Sequence, residues 1–568
     1  MLKPWLTHYD KTVPVSLEYP RATLFQLLAD AAQKHSSRVA LKLISGYRGP
    51  LTLGGALTYA QLLDQANRFA AALHALGVRK GDRVALMLPN LPQFVISFYG
   101  AARLGAIIVN TNPAYTGREM ARQFADAGAE TVVLLSSAVQ KLKEIQAQTA
   151  IKHVIVADMT EYATGLTRLL TQRNLKRQGV LVDAPAGAGV YRFRPLLDAH
   201  PEAPPESALD PAEIALFQYT GGTTGIPKAA MLTHHNLVVN AMQMGRWLAV
   251  SQEGRERVVG AIPFFHVYGM TVAMNVAIYA ADALIIIPNP RPIENVMRVI
   301  HKERATLFPG VPAMYIGIIN HPDVGKYDLR SVRACISGSA PLPMDVQVRF
   351  GELTGGRLVE GYGLTEAAPV THCNPIYGLR KAGSIGVPLS DVEAKIMDYE
   401  KLVEKPTGEA GELWVRGPQV MPGYWGRPDE TAVTLTEDGW LRTGDIARVD
   451  EDGYCYILDR LKDIINVGGL KVTPREVEEA LFQHPAVQEA AVVPAPDRVR
   501  GEVVKAFIVL KPGASATAEE IARWCAGQLA PFKVPQRVEF RAELPKTTVG
   551  KVLRRVLEEE ERAKQARV

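Results

Sequence analysis

The sequence predicts an α/β protein: a large N-terminal part of two α/β subdomains and a small β-rich one, then a smaller α+β domain. Three observations predict this. Short continuous apolar runs rich in Val, Ile and Leu alternate with helical patterns over the first two thirds of the chain; short strands and turns take over after about residue 380; and a helix start at Pro474 opens a new alternation. At 568 residues the chain is too long for one core and is expected to divide.

In chain order the strand candidates are "RVALMLPN", "IIVNTNP", "TVVLLSS", "HVIVADM", "IALFQYTGG", "DALIIIP", "ATLFPGVP", "RACISGSA" and "RLVEGYGLTE". Apolar on both faces, they read as parallel strands covered by helices, and several end in Gly, Ser, Thr or Asn, where open α/β sheets bind ligands. Residues 165–179, "GLTRLLTQRNLKRQG", read as a surface helix carrying Arg168, Arg173, Lys176 and Arg177, a pattern that leaves peripheral membrane contact open. Residues 180–212 are rich in Pro, Ala and Gly and read as a long connection between subdomains. "MTVAMNVAIYAADALIIIP" is interrupted by Asn275 and Asp282, so it reads as a buried helix and a buried strand rather than a membrane span. Beyond residue 380, "GSIGVPLSDVEAKIMD", "GELWVRGPQVMPGYW" and "GYCYILD" form the β-rich part. A helix is then predicted from Pro474 to Gln483, with Thr473 as N-cap, Pro474 at the first position and Glu476 at N3. The basic loop "LPKTTVGKVLRR" and a highly charged helix close the chain.

With 47% hydrophobic and 22% charged residues the composition is globular. Basic residues exceed acidic ones by only 64 − 59 = 5 and are interspersed, which argues against a nucleic-acid partner. Cys335, Cys373, Cys455 and Cys525 are far apart without a C-x-x-C pair, so neither a zinc site nor a disulfide framework is expected, and a reducing cytoplasm fits. The opening "MLKPWLTHYDKTVPV" has no apolar segment of signal-peptide type.

The most informative stretch is "YTGGTTGIPKAA". Its glycines let backbone N–H groups approach oxygen atoms, its threonines donate, and Lys228 supplies one compact positive charge, a composition suited to phosphate. The common phosphate loop G-x-x-x-x-G-K-[ST] does not fit, because Pro227 precedes Lys228 and Ala229 follows it.

Together with "SGSAPL", "GYGLTEAAP", "GWLRTGDIARVDEDGY", "DRLKDIINVGGLKV" and "LPKTTVGKVLRR", in that order and over essentially the whole chain, this stretch resembles the adenylate-forming acyl-CoA synthetases. "WLTHYDKTVP", "QYTGGTTG", "FHVYGM" and "PGYWGRPDET" are most similar to the bacterial long-chain-fatty-acid:CoA ligases. The resemblance implies that a fatty acid attacks the α-phosphorus of ATP, and that coenzyme A then displaces AMP from the acyl adenylate. Both partners in the first step are anions, so positive charge and a metal must hold them together.

The resemblance also assigns residues. Thr220, Gly221, Gly222, Thr223, Thr224, Gly225 and Lys228 would wrap the β- and γ-phosphates, Glu366 would bind Mg²⁺, and Thr365 would contact the α-phosphate. Gly338, Ser339, Ala340, Glu360, Gly361 and Tyr362 would frame adenine, with Gly363 and Ile457 also on the nucleotide. Asp445 would accept from the ribose hydroxyls, with Arg460 beside it. Lys551 would draw carboxylate and α-phosphate together, a preorganised donor contributing on the order of 3 to 4 kcal/mol. Lys462 occupies the family's hinge position, and Gly468, Gly469 and Lys471 would line the CoA channel. The implied organisation is a large AMP-binding domain over 1–459, a hinge at 460–465 and a small mobile domain over 466–568 carrying Lys551.

His266, Tyr268 and Gly269 match the carboxyl end of the acyl pocket; no acid–base role is assigned to His266. Amino-acid-activating relatives carry Asp after Phe here, whereas this chain has His266 after Phe264 and Phe265, which favours a plain carboxylic acid. A medium-chain or aryl acid, or transfer to a carrier-protein thiol, would use the same scaffold. A luciferase-like oxygenase finds no specific support. A nucleotide-binding scaffold without turnover would not need Lys551. A homodimer is common among fatty-acid-specific relatives.

Overall fold

The apolar runs of the first half lie side by side in the computed structural model, which describes residues 3–49, 51–163, 165–177, 187–204, 208–220, 227–248, 253–497, 499–547 and 550–565. The chain forms two compact units, Met1–Glu393 with Arg416–Leu441, and Ala394–Val415 with Arg442–Val568.

Among the described residues, the first unit holds an eight-stranded sheet ordered Gly423–Tyr424, Lys228–Thr233, Ile214–Thr220, Ile107–Asn110, Arg83–Met87, Thr131–Leu135, His153–Ala157 and Val190–Arg192. Neighbours from Ile214–Thr220 to Val190–Arg192 run parallel, and the two pairs at the other edge are antiparallel. Val84, Leu86, Val132 and Val133 are wholly buried, which is why these strands read as unbroken apolar runs. A second set of strands comprises Arg257–Gly260, Ala283–Ile286, Val39–Arg48 and Leu51–Thr58, and next to it Ala334–Ser337, Arg357–Gly363, Val370–Cys373 and Val387–Pro388. Leu307 joins the two halves by bridging Val258 on one side and Ala334 on the other.

Three stretches differ in detail from their sequence reading. "ATLFPGVP" supplies single bridges at Leu307 and Gly310 rather than a strand, since Pro309 and Pro312 bring no ladder N–H. The supposed connection 180–212 contains an edge strand, Val190–Arg192, and a short helix, Phe193–Asp198; Phe193 is fully buried and stacks on Phe69 with ring centroids 5.6 Å apart. The helix after His266 opens as a seven-residue π-helix, Gly269–Asn275, before the short α-helix Val276–Tyr279 and the strand Ala283–Ile286. The basic helix Gly165–Arg177 forms as expected, with Arg168, Leu169, Arg173, Lys176 and Arg177 among its residues; 178 and 179 lie outside the described residues. Among the described residues no helix is long and apolar enough to cross a membrane.

The second unit contains a four-stranded sheet of Glu393–Met397, Gly411–Arg416, Leu441–Val449 and Cys455–Arg460. It also contains a five-stranded sheet of Leu470–Val472, Ile465–Val467, Gly501–Leu510, Val487–Asp497 and Arg537–Phe540. Val477, Leu481, Ile521 and Cys525 pack with Ile465, Val504 and Ile508, while Leu557 packs with Val493, Phe507 and Leu544 in a separate cluster. The predicted helix runs Pro474–Phe482, but the Thr473 hydroxyl meets the Glu476 carboxylate at 3.3 Å instead of capping the backbone. Asp459 takes over that task, accepting from Arg475 N–H at 2.9 Å. All four cysteines are free and buried.

Candidate active site

Thr220 and Lys228 are register partners on adjacent antiparallel strands, so the two ends of the glycine-rich segment are fixed together. Gly221, Gly222, Thr223, Thr224 and Gly225 lie outside the described residues. The Lys228 ammonium is ion-paired with Glu430 and lies 5.3 Å from the centroid of the Tyr424 ring, a cation over an aromatic face. The Tyr424 hydroxyl donates to Glu366 Oε1 at 2.6 Å, and burial, followed by the Glu366 charge, pushes the phenol's pKa up. Met421 N–H donates to the Glu366 carbonyl at 2.8 Å, which ties the same segment to the turn Thr365–Ala367. One connected group thus holds the lysine and the acid expected at the triphosphate.

Among the described residues there is no cluster of three or more His, Cys, Asp or Glu side chains able to hold a metal ion. A cation at Glu366 would draw on that carboxylate, the nucleotide's phosphate oxygens and water. That donor set fits Mg²⁺, which keeps several waters and favours hard oxygen ligands.

The expected adenine frame is built from two neighbouring parallel strands. Ser337 pairs with Glu360, and just beyond the first strand Ser339 takes a left-handed φ of 69°. Glu360 Oε2 accepts from Leu342 N–H at 3.2 Å, and the Glu360 carbonyl accepts from Asn374 N–H at 3.0 Å. Gly363 tolerates no larger residue, because a Cβ there would lie 2.0 Å from the Pro369 carbonyl oxygen. Tyr362, half-buried, meets the His372 ring edge-on at 6.0 Å; burial lowers the His372 pKa to about 3, so this imidazole is neutral.

His266 sits in a turn held from two sides. Asn90 Nδ2 donates to the carbonyls of Gly260 and Ile262 at 3.1 and 2.8 Å, while its Oδ1 accepts from Phe264 N–H at 2.8 Å. Gln218 Nε2, from the strand that ends at Thr220, donates to the Phe265 carbonyl at 3.1 Å. The strand that ends at Thr220 and the turn that carries His266 are thereby coupled. Tyr268 O–H donates to the Ile336 and Gly310 carbonyls at 2.7 and 3.1 Å, and its ring would lie 3.1 Å from a Cβ at Gly338. Gly269 is demanded by space, since a Cβ there would be 2.3 Å from the Pro263 carbonyl oxygen. Behind the π-helix lies a closed apolar seam lined by Val272, Val276, Leu307, Pro309, Ala334 and Ile336, among others.

In the second unit Asp445 and Arg460 are register partners, with Nε 3.2 Å from Oδ1 and Asp445 only 7% exposed. Ile457, on the same strand as Arg460, accepts from Arg475 Nη1 through its carbonyl at 2.6 Å. Lys462 lies exposed in the single turn Leu461–Asp463. Gly468 and Gly469 form a two-residue hairpin turn with φ of 58° and 91°, a conformation that favours glycine. Lys471 donates to the Tyr399 hydroxyl at 2.7 Å and pairs with Glu400 at 3.2 Å.

Lys551 follows Gly550 in a turn closed by Thr547, whose Oγ1 accepts from Lys551 N–H at 3.1 Å. Its residue surface is exposed, but its ammonium lies in the field of Arg460, Asp445, Asp463 and Arg554. Loss of hydration first, and repulsion from Arg460 second, push its pKa down to about 7. Thus the structure brings Lys551, Asp445 and Arg460 into one electrostatic group within one unit. Sequence reasoning missed Tyr424, Glu430, Gln218 and Asn90 as parts of the site: the first three lay in stretches read only as family fingerprints, and Asn90 was read only as the end of a strand.

Comparison with known proteins bears on both units. The family model described as AMP-binding enzyme matches residues 28–425, and that described as AMP-binding enzyme C-terminal domain matches residues 476–551. A long-chain-fatty-acid–CoA ligase of Bacillus subtilis is 45% identical over 566 residues, covering 98% of each chain. One of Escherichia coli is 39% identical over 570 residues and 99% of each chain. Among solved structures, ATP-bound MatB from Rhodopseudomonas palustris superposes with a TM-score of 0.80 at 29% identity, covering 95% of this chain and 99% of that one.

Proposed function

The chain belongs to the AMP-binding enzymes, and on that premise we propose that it activates a fatty acid, with ATP, to an acyl adenylate and passes the acyl group to coenzyme A, releasing AMP and pyrophosphate. The observation that carries this reading is similarity running the full length of the chain, at 45% and 39% identity, to two long-chain-fatty-acid–CoA ligases.

In this reading Lys228 and the segment beginning at Thr220 receive the β- and γ-phosphates, and Thr365 meets the α-phosphate. Glu366 would hold Mg²⁺, which neutralises phosphate charge when bound. Tyr362 offers a face to adenine, with Gly338, Ser339, Ala340, Glu360, Gly361, Gly363 and Ile457 around the nucleotide, and Asp445, oriented by Arg460, accepts from the ribose hydroxyls. Lys551 supplies the positive charge that lets a carboxylate approach the α-phosphorus. His266, Tyr268 and Gly269 face the acid. For the second half-reaction the chain would turn at 460–465, about Lys462, between a part spanning 1–459 and a part spanning 466–568, bringing Gly468, Gly469 and Lys471 to the CoA channel.

The test is AMP production from ATP across acetate, octanoate, palmitate, oleate and coumarate, each with and without CoA. CoA-dependent turnover peaking at palmitate or oleate is expected. A peak at octanoate or coumarate would replace the substrate while keeping the chemistry, and AMP release that CoA does not support but an added carrier protein does would point to a carrier-protein thiol. Peripheral contact with the inner face of the membrane belongs to the same proposal, supported by Leu169, 64% exposed beside the basic residues of Gly165–Arg177. Flotation with acidic liposomes tests it, and sedimentation tests the expected homodimer.

A further inference from the structure

The segment Gly423–Thr434 contributes to the phosphate side of the site through two residues that the reaction scheme above does not use. Gly423 and Tyr424 pair with Met231 and Ala230, and Trp425 N–H donates to the Ala229 carbonyl at 2.9 Å, so the segment lies directly along the strand that begins with Lys228. Thr431 Oγ1 accepts from Tyr424 N–H at 3.0 Å and donates to the Arg427 carbonyl at 2.8 Å, which fixes the turn that presents Glu430. The Lys228 side chain is 15% exposed and that of Glu430 35%; the two form an ion pair, with the ammonium over the Tyr424 ring. Glu430 has a second cation within reach: Arg427 Nε lies 3.8 Å from Oε1, while Arg427 Nη2 is held by Asp126 Oδ1 at 3.0 Å and Asp126 Oδ2 accepts from Tyr219 O–H at 2.7 Å.

We propose that Glu430 is a displaceable counter-ion that holds Lys228 in register before the triphosphate arrives and yields it to the phosphates on binding. A half-buried ammonium needs an anion beside it, and Glu430 supplies one. Phosphate oxygens are a denser negative charge and draw the flexible lysine away. The carboxylate left behind stays neutralised because Arg427, anchored through Asp126, stands next to it. Tyr424 keeps both ends in place: its ring supports the ammonium, and its hydroxyl orients Glu366. Glu430 is thus a positioning residue whose pairing opposes nucleotide binding, so its removal should tighten that binding. This rests on the reading that the chain binds ATP.

Calorimetric titration of ATP with Mg²⁺ into the full-length protein, without acid or CoA, tests it on wild type, Glu430→Gln, Lys228→Met and the double variant. Glu430→Gln is expected to bind ATP roughly fivefold more tightly than wild type, the ratio to which a partly exposed ion pair of ordinary strength corresponds. In the Lys228→Met background the same substitution is expected to change nothing. Equal or weaker binding by Glu430→Gln, or the same gain without Lys228, would overturn the proposal. If Glu430→Gln lowers the thermal midpoint, Glu430→Asp, which keeps the charge and withdraws it by one methylene, replaces it: tightening supports the exchange and its absence overturns it. Wild-type protein that binds no ATP would overturn the functional reading and the proposal with it.

Discussion

Replacing Arg554 with methionine asks how the loop carrying Lys551 is held. The guanidinium lies 3.2 and 2.6 Å from the two oxygens of Glu478, 3.1 Å from Asp463 Oδ2 and 3.9 Å from Asp459 Oδ1. Those carboxylate side chains are 11%, 14% and 1% exposed, so water does little to separate them. Methionine keeps the packing of the stem and removes the only positive charge named in these contacts. Breaking a buried ion pair by deleting one partner costs roughly 3 to 5 kcal/mol, and the 24% exposure of Arg554 places this case near the lower figure. About 3 kcal/mol corresponds to backbone amides exchanging on the order of a hundredfold faster, read in hydrogen exchange over Ala490–Val493, where Val492 N–H donates to Glu478 Oε1. The pH dependence has a definite sign. Burial already raises the Glu478 pKa, with Arg554 as the foremost opposing influence, so in the variant it rises further above its unfolded value. An acid whose folded pKa exceeds its unfolded one gains stability as the pH falls through the folded value. The ratio of variant to wild-type exchange rates should therefore shrink from pH 8 toward pH 5. Unchanged exchange at pH 8, or a ratio that grows on acidification, would refute the reasoning.

Lys551→Ala is expected to abolish adenylate formation while sparing thioester formation from supplied acyl adenylate, and Lys462→Pro to do the reverse; rapid-quench measurement of each half-reaction distinguishes them, and equal loss of both halves in both variants would count against alternation. Because loss of hydration and the neighbouring Arg460 push the Lys551 pKa down to about 7, kcat/KM for adenylate formation should fall as the pH rises through that value. Lys551→Arg, which stays charged, should lose that limb of the profile even if its rate is low; a limb kept unchanged would assign it to another group. Gly269→Ala forces a Cβ to within 2.3 Å of the Pro263 carbonyl oxygen and 2.8 Å of that of Ile262. The turn before it must shift, at a cost of about 2 kcal/mol or more, seen as a lower thermal midpoint together with reduced turnover.

What was legible in the sequence was what neighbouring residues decide. Val84 to Leu86 and Val132 to Leu134 are buried on both faces, and burial on both faces writes an unbroken apolar run that can be read without knowing the partner strand. Pro309 and Pro312 are equally local signals, and giving them more weight would have reduced "ATLFPGVP" from a strand to isolated bridges. The Pro474 helix shows where such reasoning stops. Its start was predicted correctly, but the N–H group expected to be capped by Thr473 is satisfied by Asp459, which reaches the helix only after the intervening hairpin folds back.

The same division runs through the candidate site. Glycines, hydroxyls and a lysine in one stretch announce a taste for phosphate, because each property belongs to its own residue type. The state of that lysine is another matter: it depends on Glu430 and Tyr424, and Tyr424 in turn on Glu366, 58 residues earlier in the chain. A motif therefore states which ligand a side chain can take, whereas the pairing made in the fold decides what that ligand must displace. If Lys228 were free, its substitution would report only the attraction it offers to phosphate. Paired as it is, its substitution reports the difference between two partners, so the effect of Lys228→Met alone will understate its contact with ATP by the strength of the Glu430 pair. The double variant with Glu430→Gln separates the two quantities.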